Sequence, residues 1–274
     1  MDAIPGAPAT LVEDFTIPGP QGAIPARLYR PRTGGRPLPV VLYFHGGGFV
    51  GGCLDDADVP ARFLAARVPA LVLAVGYALA PARPFPAAPE DAHAAALWLA
   101  QQAAALGGDA SRLAVAGDDA GGNLAACLTL MARDRNAPAI AAQVLVGPML
   151  DPSMTRLGDG QRLNSDLSAA DCAACYRQYL PQPRQRLHPY ASPLASVRQA
   201  GLPPALVLTA ECDVLHQEAE QYAAALIEAG VPTQVARFPG VTHAALARHP
   251  PALAEIAHFL GHRLGAGMAV APNQ

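Results

Sequence analysis

The stretch "AVAGDDAGGNLAA", residues 114–126, has the pattern of a strand end, a sharp glycine-containing turn and the start of an alanine-rich helix. The G-x-x-x-G spacing from Gly117 to Gly121 permits a tight strand-to-helix turn that lifts residue 119 above the sheet. A turn of this form usually presents a nucleophile, most often serine. Here the residue at the tip is Asp119. A lone G-x-x-x-G is more commonly a packing turn, so its meaning depends on the surrounding segments.

On both sides of this turn, apolar runs alternate with alanine- and leucine-rich helical stretches. The runs of strand length are residues 15–19, 25–31, 39–47, 70–79, 112–117, 143–149, 205–211 and 233–239. The main helical stretches are residues 55–68, 89–106, 120–134, 216–230 and 251–264. This alternation predicts an α/β fold with a mostly parallel eight-stranded sheet and helices on both faces. The chain length of 274 residues suits a single domain, residues 1–274.

One segment, residues 151–195, breaks the alternation. Ser168 is followed three residues later by Asp171, which predicts a capped helix start among prolines, arginines and glutamines. We interpret this segment as a small helical insertion over the top of the sheet and call it the cap segment (residues 151–195).

Composition excludes several classes of function. The chain has 19 basic and 22 acidic side chains, a formal net charge of -3 and no basic patch, so neither nucleic acid nor an anionic membrane is expected as a partner. The first residues lack the pattern of a secretory signal, and no apolar run approaches the ~18–20 residues of a membrane span. We therefore expect a soluble, cytoplasmic protein. A homodimer remains possible.

The cysteines do not form a disulfide framework, because their number is odd and their spacing irregular; they are residues 53, 127, 172, 175 and 212. Cys172 and Cys175 form a C-x-x-C within a predicted helix, without a second pair. We interpret them as two small helix residues rather than as a metal or redox site, and no metal or cofactor is expected.

A second glycine-rich segment, "FHGGGF" at residues 44–49, follows a predicted buried strand. Its backbone N–H groups are unshielded and suited to binding a developing oxyanion. A phosphate is the alternative ligand, but neither G-x-G-x-x-G nor G-x-x-x-x-G-K-[ST] is present. The amides of Gly47, Gly48 and Ala120 together form the predicted oxyanion hole. The residues expected to support it, with His45 packed beneath the loop, are His45, Gly46, Gly117 and Gly121.

An acid and a histidine follow the last two predicted strands. Asp213 comes after the strand at 205–211, and His243 comes after the strand at 233–239. Their order after the turn at 119 matches the nucleophile, acid, histidine order of α/β-hydrolases. A carboxylate beside an imidazole fixes its tautomer and stabilises its charged form. Asp119, Asp213 and His243 are therefore the predicted catalytic residues.

With these motifs in view, the chain resembles the hormone-sensitive-lipase branch of the α/β-hydrolases, the bacterial carboxylesterase group marked by HGGG and GDSAGG. The resemblance extends over nearly the whole chain and includes "LAPARPFPAAPEDA" at residues 79–92. It implies an α/β-hydrolase fold and hydrolysis of small esters without metal or cofactor. It also implies that Gly47, Gly48 and Ala120 donate to the oxyanion, and that Asp213 and His243 act as acid and base.

Three features depart from that family. Asp119 stands where the family has serine. The segment "GYALAPA", residues 76–82, has Gly76, Ala78 and Ala82 in place of charged residues that normally form a supporting network. Only about ten residues precede the first predicted strand, so we expect a shortened N-terminal cap segment and a more open pocket.

Aspartate at the tip changes the expected chemistry. Attack of its carboxylate on an ester would form an anhydride and expel a far more basic alkoxide, which is uphill. We therefore expect weak or absent esterase turnover, with one carboxylate oxygen in the oxyanion hole and the other paired with His243. Two alternatives stay open. One is a non-catalytic protein that binds a small acyl-like or carboxylated ligand, and the other is a hydrolase that uses Asp119 to attack an epoxide or an alkyl halide.

Overall fold

The computed structural model of the chain describes residues 10–32 and 37–265. Eight strands form one sheet in the order β1-β2-β4-β3-β5-β6-β7-β8. The strands are β1 Thr10–Gly19, β2 Gly22–Pro31, β3 Leu38–Phe44, β4 Leu71–Val75, β5 Gly108–Asp118, β6 Ala142–Val146, β7 Ala205–Cys212 and β8 Thr233–Thr242. β2 pairs antiparallel with its two neighbours, β1 and β4. All later neighbours in this order, from β4 and β3 onward to β8, pair parallel. The predicted mostly parallel sheet is confirmed.

The central strands are apolar runs because helices cover the sheet on both faces. The helices of the α/β layers are α1 Asp58–Arg67, α2 Ala87–Gln102, α3 Ala120–Arg135, α6 His216–Glu228 and α8 Pro250–Arg263. One core cluster packs α2, α3 and α6 against one face, and a second packs α1 and α8 against the other. Successive residues along a strand point to opposite faces, so each central strand contributes to both clusters.

The polypeptide between β6 and β7 contains short helices in place of a single long one. These are α4 Gly160–Leu163, α5 Ala169–Tyr179 and two 3-10 helices, Pro183–Leu187 and Pro193–Ala195. The capping box predicted from Ser168 and Asp171 is present at the start of α5, where each side chain accepts a hydrogen bond from the other's backbone N–H. This capping stabilises the start of α5.

The ends of the chain and one short loop are not described. The expectation of a shortened N-terminal cap concerns residues 1–9, which lie outside the described residues. Within the part of the chain that the structure describes, no helix is both long enough and apolar enough to cross a membrane.

Candidate active site

Asp119 lies at the turn between β5 and α3, in a conformation rarely adopted by residues other than glycine. Its φ is 53° and its ψ is -119°. Backbone contacts hold it there: the Asp119 N–H donates to the Val146 carbonyl at 2.9 Å, and its own carbonyl accepts from the Met149 N–H at 3.2 Å. Strained backbone of this kind persists only where the surroundings fix it. The end of β6 and the residues after it therefore present the Asp119 side chain above the sheet.

Gly117 and Gly121 make the turn possible because no side chain fits at either position. A Cβ on Gly117 would collide with the Gly121 backbone, and a Cβ on Gly121 would collide with the carbonyl groups of Phe44 and His45. The start of α3 thereby approaches the end of β3 at backbone contact. This brings the glycine loop, residues 46–48, next to Asp119.

The Asp119 carboxylate accepts hydrogen bonds from this glycine loop. The N–H groups of Gly47 and Gly48 donate to its Oδ2 at 2.9 Å and 2.8 Å. An N-cap aspartate ordinarily accepts from the first amides of its own helix, but Asp119 makes no such bond. Among the described residues, Ala120 makes no hydrogen bond to this carboxylate, so its part in an oxyanion hole stays a prediction. One carboxylate oxygen thus lies on the amides of Gly47 and Gly48, and the assignment of these amides to an oxyanion hole stays a prediction.

His243 lies between the two predicted carboxylates. Its Nδ1 donates to Asp213 Oδ2 at 2.8 Å, and its Nε2 lies 3.7 Å from Asp119 Oδ1. The second distance is too long for a hydrogen bond but within the range of an ion pair. Asp213 is fully buried, and its other oxygen accepts the Leu215 N–H at 2.9 Å. The structure therefore brings together three side chains that lie far apart in the sequence, at positions 119, 213 and 243.

The surrounding carboxylates control the charge of His243. Burial lowers its pKa, but the hydrogen bond to Asp213 and the charges of Asp213, Asp119 and Asp118 raise it to about 9. The imidazole is therefore protonated at neutral pH. An imidazolium has no free nitrogen lone pair, so it stabilises anions but does not accept a proton.

We expect this charge to make stability depend on pH. The pKa of His243 is raised from 6.5 to about 9 in the folded chain. Its stabilisation is therefore fully present below about pH 6.5 and is lost as the pH rises through about 9. The difference corresponds to about 3 kcal/mol. Urea unfolding of the wild type between pH 7.5 and 9.5 measures this as a falling free energy of unfolding.

The variant H243A is the control for that measurement. Its free energy of unfolding should fall less between pH 7.5 and 9.5 than that of the wild type, because the imidazole is gone while the buried thiols, whose pKa values burial raises, contribute equally to both proteins. An equal fall in H243A and in the wild type would contradict the assignment.

Asp118 is a site residue that sequence reasoning missed, although it stands directly before Asp119. The pKa of Asp118 is raised to about 7. Burial and the Asp119 charge raise it, and a hydrogen bond from Tyr43 opposes them. The Tyr43 hydroxyl donates to Asp118 Oδ1 at 2.8 Å. A Cβ on Gly46 would lie 2.5 Å from Asp118 Oδ2. Asp118 thus packs beneath the glycine loop, and the signal for it was its place at the end of a buried strand.

The predicted supporting residues lie around the glycine loop. His45 is buried, stacks on Tyr77 with ring centroids 4.4 Å apart, and places its Nδ1 2.7 Å from the Gly46 carbonyl oxygen. Burial lowers the pKa of His45. A neutral, packed imidazole beneath the loop agrees with the structural role expected for it.

The segment at residues 76–82 contacts the buried side chain of Asp91 through its backbone. The Ala78 N–H donates to Asp91 Oδ2 at 3.0 Å. Burial raises the pKa of Asp91, and the Ala78 N–H and the Arg83 charge lower it only in part. Ala78 thus contacts Asp91 through its backbone and supplies no side-chain charge.

A cavity of about 560 Å³ lies over Asp119 and His243. Its apolar walls include Val146, Met149, Leu167 and Leu246. Cys172 and Cys175 also line it from α5, and a Cβ on Gly48 would lie 2.5 Å from Cys175 Sγ. Burial raises the pKa of both thiols, so both stay protonated and poorly nucleophilic. The two cysteines pack against the site, a contact that their C-x-x-C spacing did not indicate.

The described part of the chain offers no constellation for a metal ion: no group of three or more His, Cys, Asp or Glu side chains is arranged to hold one.

Comparison with known proteins shows that the chain is similar to several ester hydrolases. A family model for the α/β-hydrolase fold matches residues 41–247. An ethyl acetate hydrolase of Pseudomonas putida is 43% identical over 85% of this chain and 74% of its own length. A carboxylesterase of Mycobacterium tuberculosis is 40% identical over 86% of this chain and 76% of its own. The structure of a hyperthermophilic esterase from Pyrobaculum calidifontis superposes with a TM-score of 0.87 at 43% identity, covering 93% of this chain and 84% of the other.

Proposed function

The chain belongs to the α/β-hydrolase family, in its hormone-sensitive-lipase-like carboxylesterase group, and from that membership we propose that it is a carboxylesterase-type hydrolase for small esters in which Asp119 suppresses turnover. The observation that carries the second part is the position of one Asp119 oxygen on the N–H groups of Gly47 and Gly48, at 2.9 Å and 2.8 Å. We propose that these amides, with Ala120, are the oxyanion hole.

A substrate carbonyl would have to displace that carboxylate oxygen. Acyl transfer needs its N–H donors free for the oxygen that becomes negative in the transition state. In this chain a side-chain oxygen of similar charge already accepts both bonds, so the carboxylate imitates the intermediate and competes with the substrate. Esterase turnover is therefore expected to be weak or absent.

The charge of His243 acts in the same direction. A serine nucleophile, or a water molecule in its place, loses its proton to the histidine. With its pKa raised to about 9, His243 is already protonated at neutral pH. Asp119 stands in place of the nucleophilic hydroxyl, and its charge is one of several, after the larger contribution of Asp213, that raise the pKa of His243.

A second candidate function is attack by Asp119 at saturated carbon. Its Oδ1 makes no hydrogen bond among the described residues and lies 3.7 Å from His243 Nε2. In this reaction Oδ1 forms a bond to the carbon of an alkyl halide, the carbon–halogen bond breaks, and halide leaves with the bonding electrons. Water then splits the resulting alkyl ester of Asp119, and His243 accepts its proton after first losing its own.

Intact-protein mass spectrometry distinguishes these functions. The wild type is incubated separately with 2-chloropropanoate, styrene oxide and 4-nitrophenyl acetate, and 4-nitrophenol release is followed in parallel. We expect no adduct and little release of 4-nitrophenol above the matched variant D119N, which keeps the side-chain shape. An adduct mapped to Asp119 and absent in D119N would support attack at saturated carbon instead.

The remaining results are also assignable. Ester turnover without an adduct, absent in H243A, would indicate water attack assisted by His243 and would contradict suppression by Asp119. Absence of any reaction, together with saturable binding of a small carboxylate or acyl compound, would support the non-catalytic binding protein.

A further inference from the structure

We propose that Asp166, in the cap segment, is a positioning residue that fixes the backbone of His243 and so keeps its imidazole between Asp213 and position 119. The inference rests on the proposed function only for the role of His243. The contact between Asp166 and the His243 segment has no signal in the sequence. Asp166 is exposed and does not line the cavity.

The Asp166 carboxylate contacts the histidine segment with both oxygens. The His243 N–H donates to Oδ1 at 3.1 Å, and the Ala244 N–H donates to Oδ2 at 3.2 Å. Burial raises the pKa of Asp166, but hydrogen bonds from Thr242 and Ala244 and the charge of His243 lower it below its ordinary value. The carboxylate is therefore ionised at neutral pH and available as a double acceptor.

Within residues 10–32 and 37–265, no other side chain caps this short helix. α7 extends over His243–Leu246, and its N-cap residue Thr242 makes no side-chain hydrogen bond to the helix amides. The first amides of a helix have no partner within it. Asp166 supplies that partner from a distant part of the chain, so the orientation of the His243 backbone depends on the cap segment.

The same stretch of the cap segment also contacts the loop that carries the acid. The Val214 N–H donates to Ser165 Oγ at 3.3 Å, and the Gly158 N–H donates to the Val214 carbonyl at 2.8 Å. Val214 directly follows Asp213, and Ser165 directly precedes Asp166. Residues 158–166 thus hold both partners of the Asp213–His243 hydrogen bond.

The test measures the pKa of the His243 imidazole by NMR in the variants D166A, D166N and D171A. Each variant is made both in the wild type and in D119S. Asp171 is the matched control, because its carboxylate caps α5 in the same segment and does not touch the His243 loop. In D166A we expect the His243 pKa to fall by about one unit, as its bond to Asp213 loosens. D166N keeps one acceptor oxygen and should lie between D166A and the parent.

Kinetics in the D119S background add a second readout. D166A should lower kcat for 4-nitrophenyl acetate about tenfold with KM nearly unchanged, because the residue orients His243 without lining the cavity. D171A should leave the His243 pKa unchanged, and any effect of cap loosening should appear in KM.

The outcomes separate this inference from the proposed function. An unchanged His243 pKa in D166A, or an equal shift in D171A, would overturn the positioning role. If D119S is inactive while D166A still shifts the His243 pKa, the positioning role stands and the proposed function fails. D166N, with its isosteric side chain, decides the matter if D166A does not fold.

Discussion

The variant D119S is expected to hydrolyse short-chain aryl esters at least about a thousandfold faster than the wild type, in line with the loss seen when a triad hydroxyl is removed. Serine at this position supplies a hydroxyl and frees the amides of Gly47 and Gly48. It also removes one of the negative charges that hold the His243 pKa at about 9. The variant thus supplies the missing nucleophile and frees the amides that Asp119 occupies. Initial rates with 4-nitrophenyl acetate across pH 6–9 measure the change.

Two further variants show which of these effects acts. D119A frees the amides without supplying a hydroxyl, and D119S/H243A supplies the hydroxyl without the base. Both should stay far below D119S. If the wild type already equals D119S, the carboxylate does not block the site and the proposed suppression is wrong.

Gly121→Ala is expected to destabilise the fold by more than about 3 kcal/mol, through overpacking against backbone that cannot move aside. Gly121 lies in α3, where intrinsic helix propensity alone would favour alanine by about 1 kcal/mol. A Cβ there would collide with the carbonyl groups of Phe44 and His45. Helix propensity predicts a more stable G121A, whereas the collision predicts a less stable one. The sign of the change in the free energy of unfolding therefore shows which effect is larger. Urea unfolding at pH 6.5 gives the free energy.

Gly51→Ala is the matched control for this prediction. A Cβ at Gly51 would meet only the Gly47 carbonyl oxygen, at an ordinary 3.8 Å. We expect a change within about 0.5 kcal/mol, as at a position without close neighbours. A stabilised or neutral G121A would show that α3 can shift away from β3, and would contradict the close backbone contact.

The sequence was most informative where one residue type is required by local sterics. Gly117 and Gly121 predicted the turn, and the alternating apolar runs predicted the sheet, because both are local patterns. The meeting of Asp119, Asp213 and His243 followed from their places at the ends of β5, β7 and β8, since parallel strands end at the same edge of the sheet.

The parts that sequence reasoning missed depend on contacts between distant segments. Asp166 stands in a polar stretch with no pattern that links it to His243, 77 positions away. The raised pKa of Asp118 arises from burial beneath the glycine loop and from the Asp119 charge, neither of which a sequence pattern reports. Cys172 and Cys175 were assigned correctly to a helix, but the face that they turn to the cavity depends on where the cap segment lies.

The backbone contact between the start of α3 and the end of β3 has a consequence for substitutions at position 119. Because glycines and main-chain hydrogen bonds set the turn, the side chain at its tip takes no part in building it. A substitution at position 119 is therefore expected to alter the chemistry above the sheet while the architecture beneath it stays unchanged.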